Sequence, residues 1–266
     1  MKTFYLLFIS TLIISCQEKT FADDINLVYP KNTKMKIQEF NEDLDEMGSE
    51  LIYIGSRKNN IDVKYYIGII PPPPKIKKKG ESENDYKKRI QNENDSIHNI
   101  QKLYFRNQQI KLFYSKNISV DSINNKTIEV IANINDTIPL YKKVFSSKFL
   151  IKKYKAFPVF IKNISNKTLK IPTESKGVAF YAFDNDRKNF YYLRNSNYMI
   201  CGYGLENRPY FELKPNEILI YAYPFFKKGK IHKAKVKFYD ASSKEFNISI
   251  DEEIIKNQYD RYIMDY

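Results

Sequence analysis

The chain has 266 residues, of which 42% are hydrophobic and 15% aromatic. This content excludes an intrinsically disordered protein and suffices for one large domain or two small ones. The 44 Lys and Arg residues outnumber the 31 Asp and Glu residues, which gives a formal net charge of +13. Only two cysteines are present, Cys16 and Cys201, so a framework of several disulfides is excluded.

The first residues have the composition of an export signal. Lys2 lies in a short positive start, and residues 4–14 are apolar except for two hydroxyl residues. A helix needs about 20 apolar residues to cross a hydrocarbon core, so this run is too short to be a membrane span. The sequence therefore predicts that residues 1–15 are a signal peptide.

The end of this apolar run, Ile13-Ile14-Ser15-Cys16, resembles the lipobox of bacterial lipoproteins, and the resemblance extends over residues 1–19. It implies a diacylglycerol on the sulfur of Cys16 and an amide-linked chain such as palmitate, which together anchor the mature chain to a membrane of the cell envelope. In Gram-negative lipoproteins an Asp after the cysteine signals retention in the inner membrane. Gln17 stands there instead, which favours the outer membrane and leaves the leaflet open. The alternative is an ordinary signal peptide that is cleaved near a cysteine.

The segment after the anchor is polar and without periodicity, so residues 16–33 are predicted to be a tether. Residues 34–150 are predicted to form an α+β region. Within it, apolar residues recur at helical spacing over 34–47 and Gly48 follows, which predicts a first helix.

Four consecutive prolines occupy positions 71–74. Proline cannot donate a ladder hydrogen bond and favours extended backbone, so this segment is predicted to end a strand and act as a rigid spacer. Recognition by an aromatic groove is the alternative. A helix is predicted over residues 82–108, because Ser82 and the acidic residues after it are typical of a helix start.

Short β-like runs, separated by turn residues, fill much of the remaining chain. They cover residues 51–55, 61–70, 110–114, 127–134, 140–145, 149–154, 157–161, 169–171, 178–183, 190–193, 234–238 and 246–250. Their spacing predicts an antiparallel β-sandwich over residues 151–250 and a C-terminal tail or short helix over 251–266. The predicted fold class is thus mainly β with an α/β N-terminal part.

Residues 156–250 also resemble the immunoglobulin-like accessory domains of bacterial surface proteins. The likeness rests on Val159-Phe160-Ile161-Lys162-Asn163-Ile164-Ser165, Leu213-Lys214-Pro215-Asn216-Glu217 and Val236-Lys237-Phe238-Tyr239. The usual core Trp is missing, and Asn216 stands where those domains often have Gly. The resemblance implies an immunoglobulin-like sandwich and does not choose among binding, spacing and scaffolding.

Residue types that carry catalysis are sparse. The two histidines, His98 and His232, have no cysteine or carboxylate cluster at ligand spacing, so no metal site and no cofactor is predicted. Cys201 lies in an apolar stretch and is predicted to be a buried, inert thiol. A glycan hydrolase that uses two carboxylates remains the enzymatic alternative. Its candidate sugar platforms are Tyr191-Tyr192 and Tyr221-x-Tyr223, which are otherwise expected as ordinary half-buried strand residues.

Six lysines are the candidate ligand-facing residues. They are Lys152, Lys153, Lys155, Lys233, Lys235 and Lys237. If both groups lie on one sheet, they form a basic plate that suits an anionic surface. A solvated sheet face, or the lysine excess that an AT-rich genome produces, explains the same residues without a ligand.

Taken together, these features predict a non-enzymatic binding or accessory lipoprotein of the cell envelope. A membrane, through the lipid anchor, is one expected partner. The others are an anionic envelope glycolipid, a polysaccharide or an acidic protein, and no nucleic acid is expected. An inhibitor or immunity-type lipoprotein is the alternative among binding proteins.

Overall fold

The structure is a computed structural model. It describes residues 19–42, 48–66, 76–106, 109–116, 122–144, 150–173, 177–195 and 208–258. The predicted signal peptide over 1–15, Cys16, the prolines at 71–74 and Cys201 lie outside the described residues.

Fifteen strands and two helices occur in the part of the chain that the structure describes. The strands are β1 (Asn26–Val28), β2 (Glu50–Ser56), β3 (Asn60–Asp62), β4 (Phe113–Ser115), β5 (Ile128–Ala132), β6 (Ile138–Val144), β7 (Leu150–Asn163), β8 (Leu169–Pro172), β9 (Ala179–Asp184), β10 (Asn189–Tyr192), β11 (Arg208–Leu213), β12 (Glu217–Pro224), β13 (Lys230–Phe238), β14 (Ala241–Ser242) and β15 (Phe246–Ile250). The helices are α1 (Glu83–Tyr104) and α2 (Glu252–Lys256).

The strands form three antiparallel sheets and one small parallel pair. The central sheet has the order β2-β12-β7-β5, and β6 also pairs with β7. The outer sheet has the order β10-β9-β13-β14, and β15 also pairs with β13. A small sheet has the order β4-β11-β8, while β1 and β3 pair in parallel. The prediction of a mainly β protein with antiparallel sheets is therefore confirmed.

Both faces of the central sheet are buried. Along β12, Leu219, Tyr221 and Tyr223 belong to a core shared with the outer and small sheets, while Ile218 and Ile220 face a second core. Every residue of β12 after Glu217 is buried, which accounts for its continuous apolar sequence. The second core is completed by N-terminal residues and by residues near the end of α1. They include Phe21, Ile25, Ile61, Val63, Tyr65 and Phe105. The predicted tether over 16–33 is therefore wrong for the segment 21–28, because Phe21 and Ile25 are buried in this core and residues 26–28 form β1.

A separate α/β N-terminal part is not evident, contrary to the prediction. β2 pairs along its length with β12, so an N-terminal strand completes a sheet made largely from later residues. The central sheet also continues across residue 150, because β6 and β7 are adjacent strands that lie on either side of it. Residues from the segments 21–25 and 61–65, together with Phe105, pack on the central sheet, where they bury apolar surface.

The predicted helix over 34–47 is wrong for residues 34–42, and residues 43–47 lie outside the described residues. The backbone at Lys36 instead lies beside β7. The Lys36 N–H donates to the Lys153 carbonyl at 3.0 Å, and the Lys155 N–H donates to the Lys36 carbonyl at 2.8 Å. Pairing with a strand thus satisfies this backbone in place of helical hydrogen bonds, and tertiary context overrides the helical spacing.

Helix α1 occupies most of the interval predicted for it. Its start is fixed by Ser82, whose hydroxyl accepts a hydrogen bond from the Asp85 N–H at 3.1 Å. It ends at Tyr104, because the backbone of Phe105 is extended and forms a bridge with Tyr65. The short α2 lies in the predicted C-terminal interval and is capped by the Asp251 side chain.

Candidate functional site

Strand β13 presents lysines on one side and core residues on the other, as its alternating sequence predicts. Ala234, Val236 and Phe238 are fully buried in the core shared with the central sheet. Lys233, Lys235 and Lys237 therefore lie on the opposite side of the outer sheet, because successive side chains alternate across a strand.

The neighbouring strands add four aromatic rings to the same side. Tyr181 and Phe183 lie on β9, and Phe190 and Tyr192 lie on β10. The ring centroids are 5.8 Å apart for Tyr181 and Tyr192, and 5.1 Å apart for Phe183 and Phe190. The register places Lys235 directly opposite Tyr181, which in turn faces Tyr192. We call these four rings, together with the three lysines of β13, the lysine–aromatic face.

Each of these lysines lies over an aromatic ring. The Nζ of Lys235 is 4.1 Å from the centroid of Phe190, that of Lys237 is 5.1 Å from Tyr181, and that of Lys233 is 5.6 Å from Phe183. Such contacts contribute about 0.5–1 kcal/mol each at exposed sites. They hold the ammonium groups in place above the sheet, with the aromatic rings beneath them.

The three ammonium groups of this face differ in their ion pairing. Lys233 forms an ion pair with Glu245 at 2.9 Å. Lys235 and Lys237 form no ion pair with any residue that the structure describes. Partial burial and the positive charge of the adjacent Lys237 lower the pKa of Lys235, and together they outweigh the opposite effect of the Glu245 carboxylate. An anion bound between the two ammonium groups would relieve this repulsion.

The lysines of β7 do not join this surface, so the basic plate predicted from both groups does not form on one sheet. β7 belongs to the central sheet and β13 to the outer sheet. The Nζ of Lys152 lies 3.3 Å from a carboxylate oxygen of Glu42, and Lys153 lies over the ring of Tyr104 at 5.0 Å. Lys155 is exposed on the same strand. Internal contacts thus engage two of the three β7 lysines that were expected to face an anion.

The carboxylate of Glu42 leads to a prediction about pH. Burial acts to raise its pKa, but hydrogen bonds from Lys36, the Glu39 N–H and Lys152 outweigh burial and lower the pKa to about 2. Its stabilising effect is therefore complete above its ordinary pKa of 4.5 and is lost as the pH falls from there towards 2. We expect Glu42→Gln to lower the free energy of unfolding at pH 7 by about 1–3 kcal/mol.

The measurement is urea denaturation of wild type and variant between pH 7 and pH 3. The difference in free energy should shrink across the lower part of this range, whereas exposed Glu39→Gln should change stability by less than about 0.5 kcal/mol. A difference that stays constant with pH would show that the charge of Glu42 is not what stabilises the fold.

The remaining candidate residues are dispersed. Tyr221 and Tyr223 are buried in the core, as is Tyr191, so only Tyr192 of the predicted sugar platforms reaches the lysine–aromatic face. His98 lies on an exposed side of α1, and His232 contacts Glu252 at 3.2 Å. Within the described ranges, no group of three or more His, Cys, Asp or Glu residues is arranged to hold a metal ion.

Two surface cavities each contain two glutamates. One has a volume of about 480 Å³, lies along β5 and the segment 242–246, and includes Glu129 and Glu245. The other, of about 410 Å³, includes Glu212 and Glu217. Glu245 is engaged by Lys233, and Glu217 accepts a hydrogen bond from the Lys214 N–H at 2.8 Å. In each pair, one carboxylate thus already has a structural partner, and catalysis by paired carboxylates stays a prediction.

Three of the four rings of the lysine–aromatic face, Tyr181, Phe183 and Phe190, were not among the candidates from the sequence. The alternation on β9 contained the signal, because Phe180 and Ala182 are buried whereas Tyr181 and Phe183 are only partly buried. The sequence does not show that β9 pairs with β13. This pairing places the outward rings of β9 beside the lysines of β13.

The chain matches no known protein-family model, and neither curated proteins nor solved structures show a significant similarity to it. Among the described residues, no helix has both the length and the apolar content that a membrane span requires.

Proposed function

We propose that this chain is a lipoprotein of the bacterial cell envelope, anchored through Cys16, whose β-rich domain binds an anionic partner on the lysine–aromatic face. The partner is an envelope glycolipid, a polysaccharide or an acidic protein, and the anchor favours the outer membrane. We also propose that the central and outer sheets form an immunoglobulin-like sandwich, which is supported by their antiparallel strands and their shared core.

One observation carries the proposal. Lys235 and Lys237 lie side by side over aromatic rings and form no ion pair with a described residue. The carboxylate of Glu245 acts on Lys235 at longer range, but it is already paired with Lys233. Like charges repel, and partial burial strengthens the repulsion between these two neighbouring ammonium groups. A binding surface for anions gives these ammonium groups a counter-charge. Binding in this manner requires no catalytic group and no cofactor.

The test uses the lipidated chain in neutral phosphatidylcholine vesicles and three labelled probes: lipopolysaccharide, alginate and polyglutamate. Each lysine at an anionic surface contributes about 1 kcal/mol. Since about 1.4 kcal/mol is a tenfold change in affinity, we expect the double variant Lys235→Gln/Lys237→Gln to bind its preferred probe about 30-fold more weakly.

The matched control is Lys111→Gln/Lys170→Gln. These two lysines also lie over aromatic rings, Phe113 and Tyr210, but they belong to the region of the small sheet. The control removes an equal charge and the same kind of ring contact, but at a different place on the surface. It should therefore retain the affinity of the wild type. Equal losses in both double variants, or no binding of any probe at low salt, would show that the lysine–aromatic face is not the binding site.

A further inference from the structure

We propose that the anionic partner of the lysine–aromatic face is the headgroup layer of the membrane in which the chain itself is anchored. This inference rests on the proposed function and names its partner. It is carried by the position at which the chain leaves the folded domain, by the charge of the face and by an exposed apolar residue at the end of the lysine row.

The N-terminal end of the described chain lies where the edge strand β5 of the central sheet meets the edge of the outer sheet. Lys19 and Thr20 line the same cavity as residues 242–246, the segment that contains part of β14 and leads into β15. Glu245, in this segment, pairs with Lys233 of the lysine–aromatic face. Cys16 precedes Lys19 by three residues, which span at most about 11 Å when fully extended. An anchor at Cys16 therefore holds this rim of the outer sheet close to the bilayer.

The lysine row of β13 continues into an exposed apolar side chain. Ile231 lies on the same side of the strand as Lys233 and is 68% exposed. Exposed lysines at positions 228 and 230 precede it, and Lys230 pairs with Glu252 at 3.6 Å. An apolar side chain among lysines is typical of a surface that lies in the interface of an anionic membrane, where the apolar group enters the acyl boundary and the ammonium groups contact the headgroups. The half-buried rings of Tyr181 and Tyr192 suit the same interface.

A tryptophan reporter tests this orientation, because the chain contains no Trp. Ile231→Trp places the single tryptophan of the chain at the end of the lysine row. The matched control, Tyr114→Trp, replaces a side chain that is 69% exposed on β4 of the small sheet. Each full-length, lipidated variant is incorporated into vesicles that contain brominated lipid, which quenches Trp only at short range. The vesicles consist either of phosphatidylcholine or of equal parts of phosphatidylcholine and phosphatidylglycerol.

We expect quenching at position 231 in the anionic vesicles. It should be lost in the neutral vesicles and also at about 1 M salt, where the Debye length is about 3 Å. Position 114 should be unquenched throughout. Addition of Cys16→Ser should reduce the fraction of protein bound to vesicles. Unchanged binding would show that no lipid on Cys16 holds the protein at the membrane.

Equal quenching at both positions, or none at position 231 in anionic vesicles, would overturn the inference. The soluble probes separate this failure from failure of the proposed function. If probe binding still depends on Lys235 and Lys237 while Trp at position 231 stays unquenched, the face binds an anion other than the surrounding membrane. If neither result is obtained, the proposed function fails as well.

Discussion

The substitution Asn163→Asp is expected to lower the free energy of unfolding by about 3–5 kcal/mol, because it places a charge without a partner in the protein interior. Asn163 has no exposed surface, and its side-chain amide is fully engaged. The Nδ2 donates to the carbonyls of Lys167 at 2.8 Å and Leu213 at 2.9 Å, while Oδ1 accepts from the N–H and hydroxyl of Ser165. A carboxylate cannot donate, so it would leave two carbonyls facing a buried negative charge.

Urea denaturation at pH 7 measures this loss. The matched control is Asn166→Asp, an exposed position in the same turn, which should change stability by less than about 0.5 kcal/mol. Protonation removes the introduced charge, so the penalty of the buried carboxylate should decrease as the pH is lowered. Similar small effects at both positions would contradict the role assigned to the Asn163 amide.

The second large effect is expected from Phe180→Ala, which should lower the free energy of unfolding by about 3–5 kcal/mol. Phe180 is fully buried on the inner side of β9. Its ring centroid lies 5.5 Å from that of Tyr223, 4.8 Å from Phe226 and 6.1 Å from Phe246. Alanine would leave a cavity between the central and outer sheets and remove contacts on three sides.

The comparison is Phe183→Ala on the outward side of the same strand, where the ring is only partly buried. Its smaller loss of buried area should cost about 1 kcal/mol. The midpoints of denaturant unfolding distinguish the two variants, provided that the slope of the unfolding free energy against denaturant concentration is the same for both. If Phe183→Ala proved the more destabilising, the assignment of inner and outer sides to the outer sheet would be wrong.

Local patterns in the sequence predict much of what lies within single strands and helices. The alternation of β13 correctly separates Lys233, Lys235 and Lys237 from the core, and Ser82 marks the start of α1. These predictions succeed because the side-chain period of a strand and the capping of a helix depend on residues close together in the chain.

Features that depend on which strands become neighbours were not predictable in this way. Lys152 and Lys235 occur in similar lysine-rich strands, yet one pairs with Glu42 and the other belongs to a different sheet. The segment at Lys36 has helical spacing but is held extended by β7. The lysine–aromatic face exists only because β9 pairs with β13. Long-range pairing, which no local pattern encodes, determines each of these outcomes.

The position of β12 has a consequence for the order of folding. This strand arises late in the chain, yet it lies between β2 and β7 in the central sheet and contributes to both cores. The early strand β2 has no partner in the central sheet until β12 has been synthesised. Closing such a long loop makes folding slow, since contacts of high sequence separation reduce the folding rate. We therefore expect the central sheet to be completed only after the late strand β12 is available to join β2 to β7.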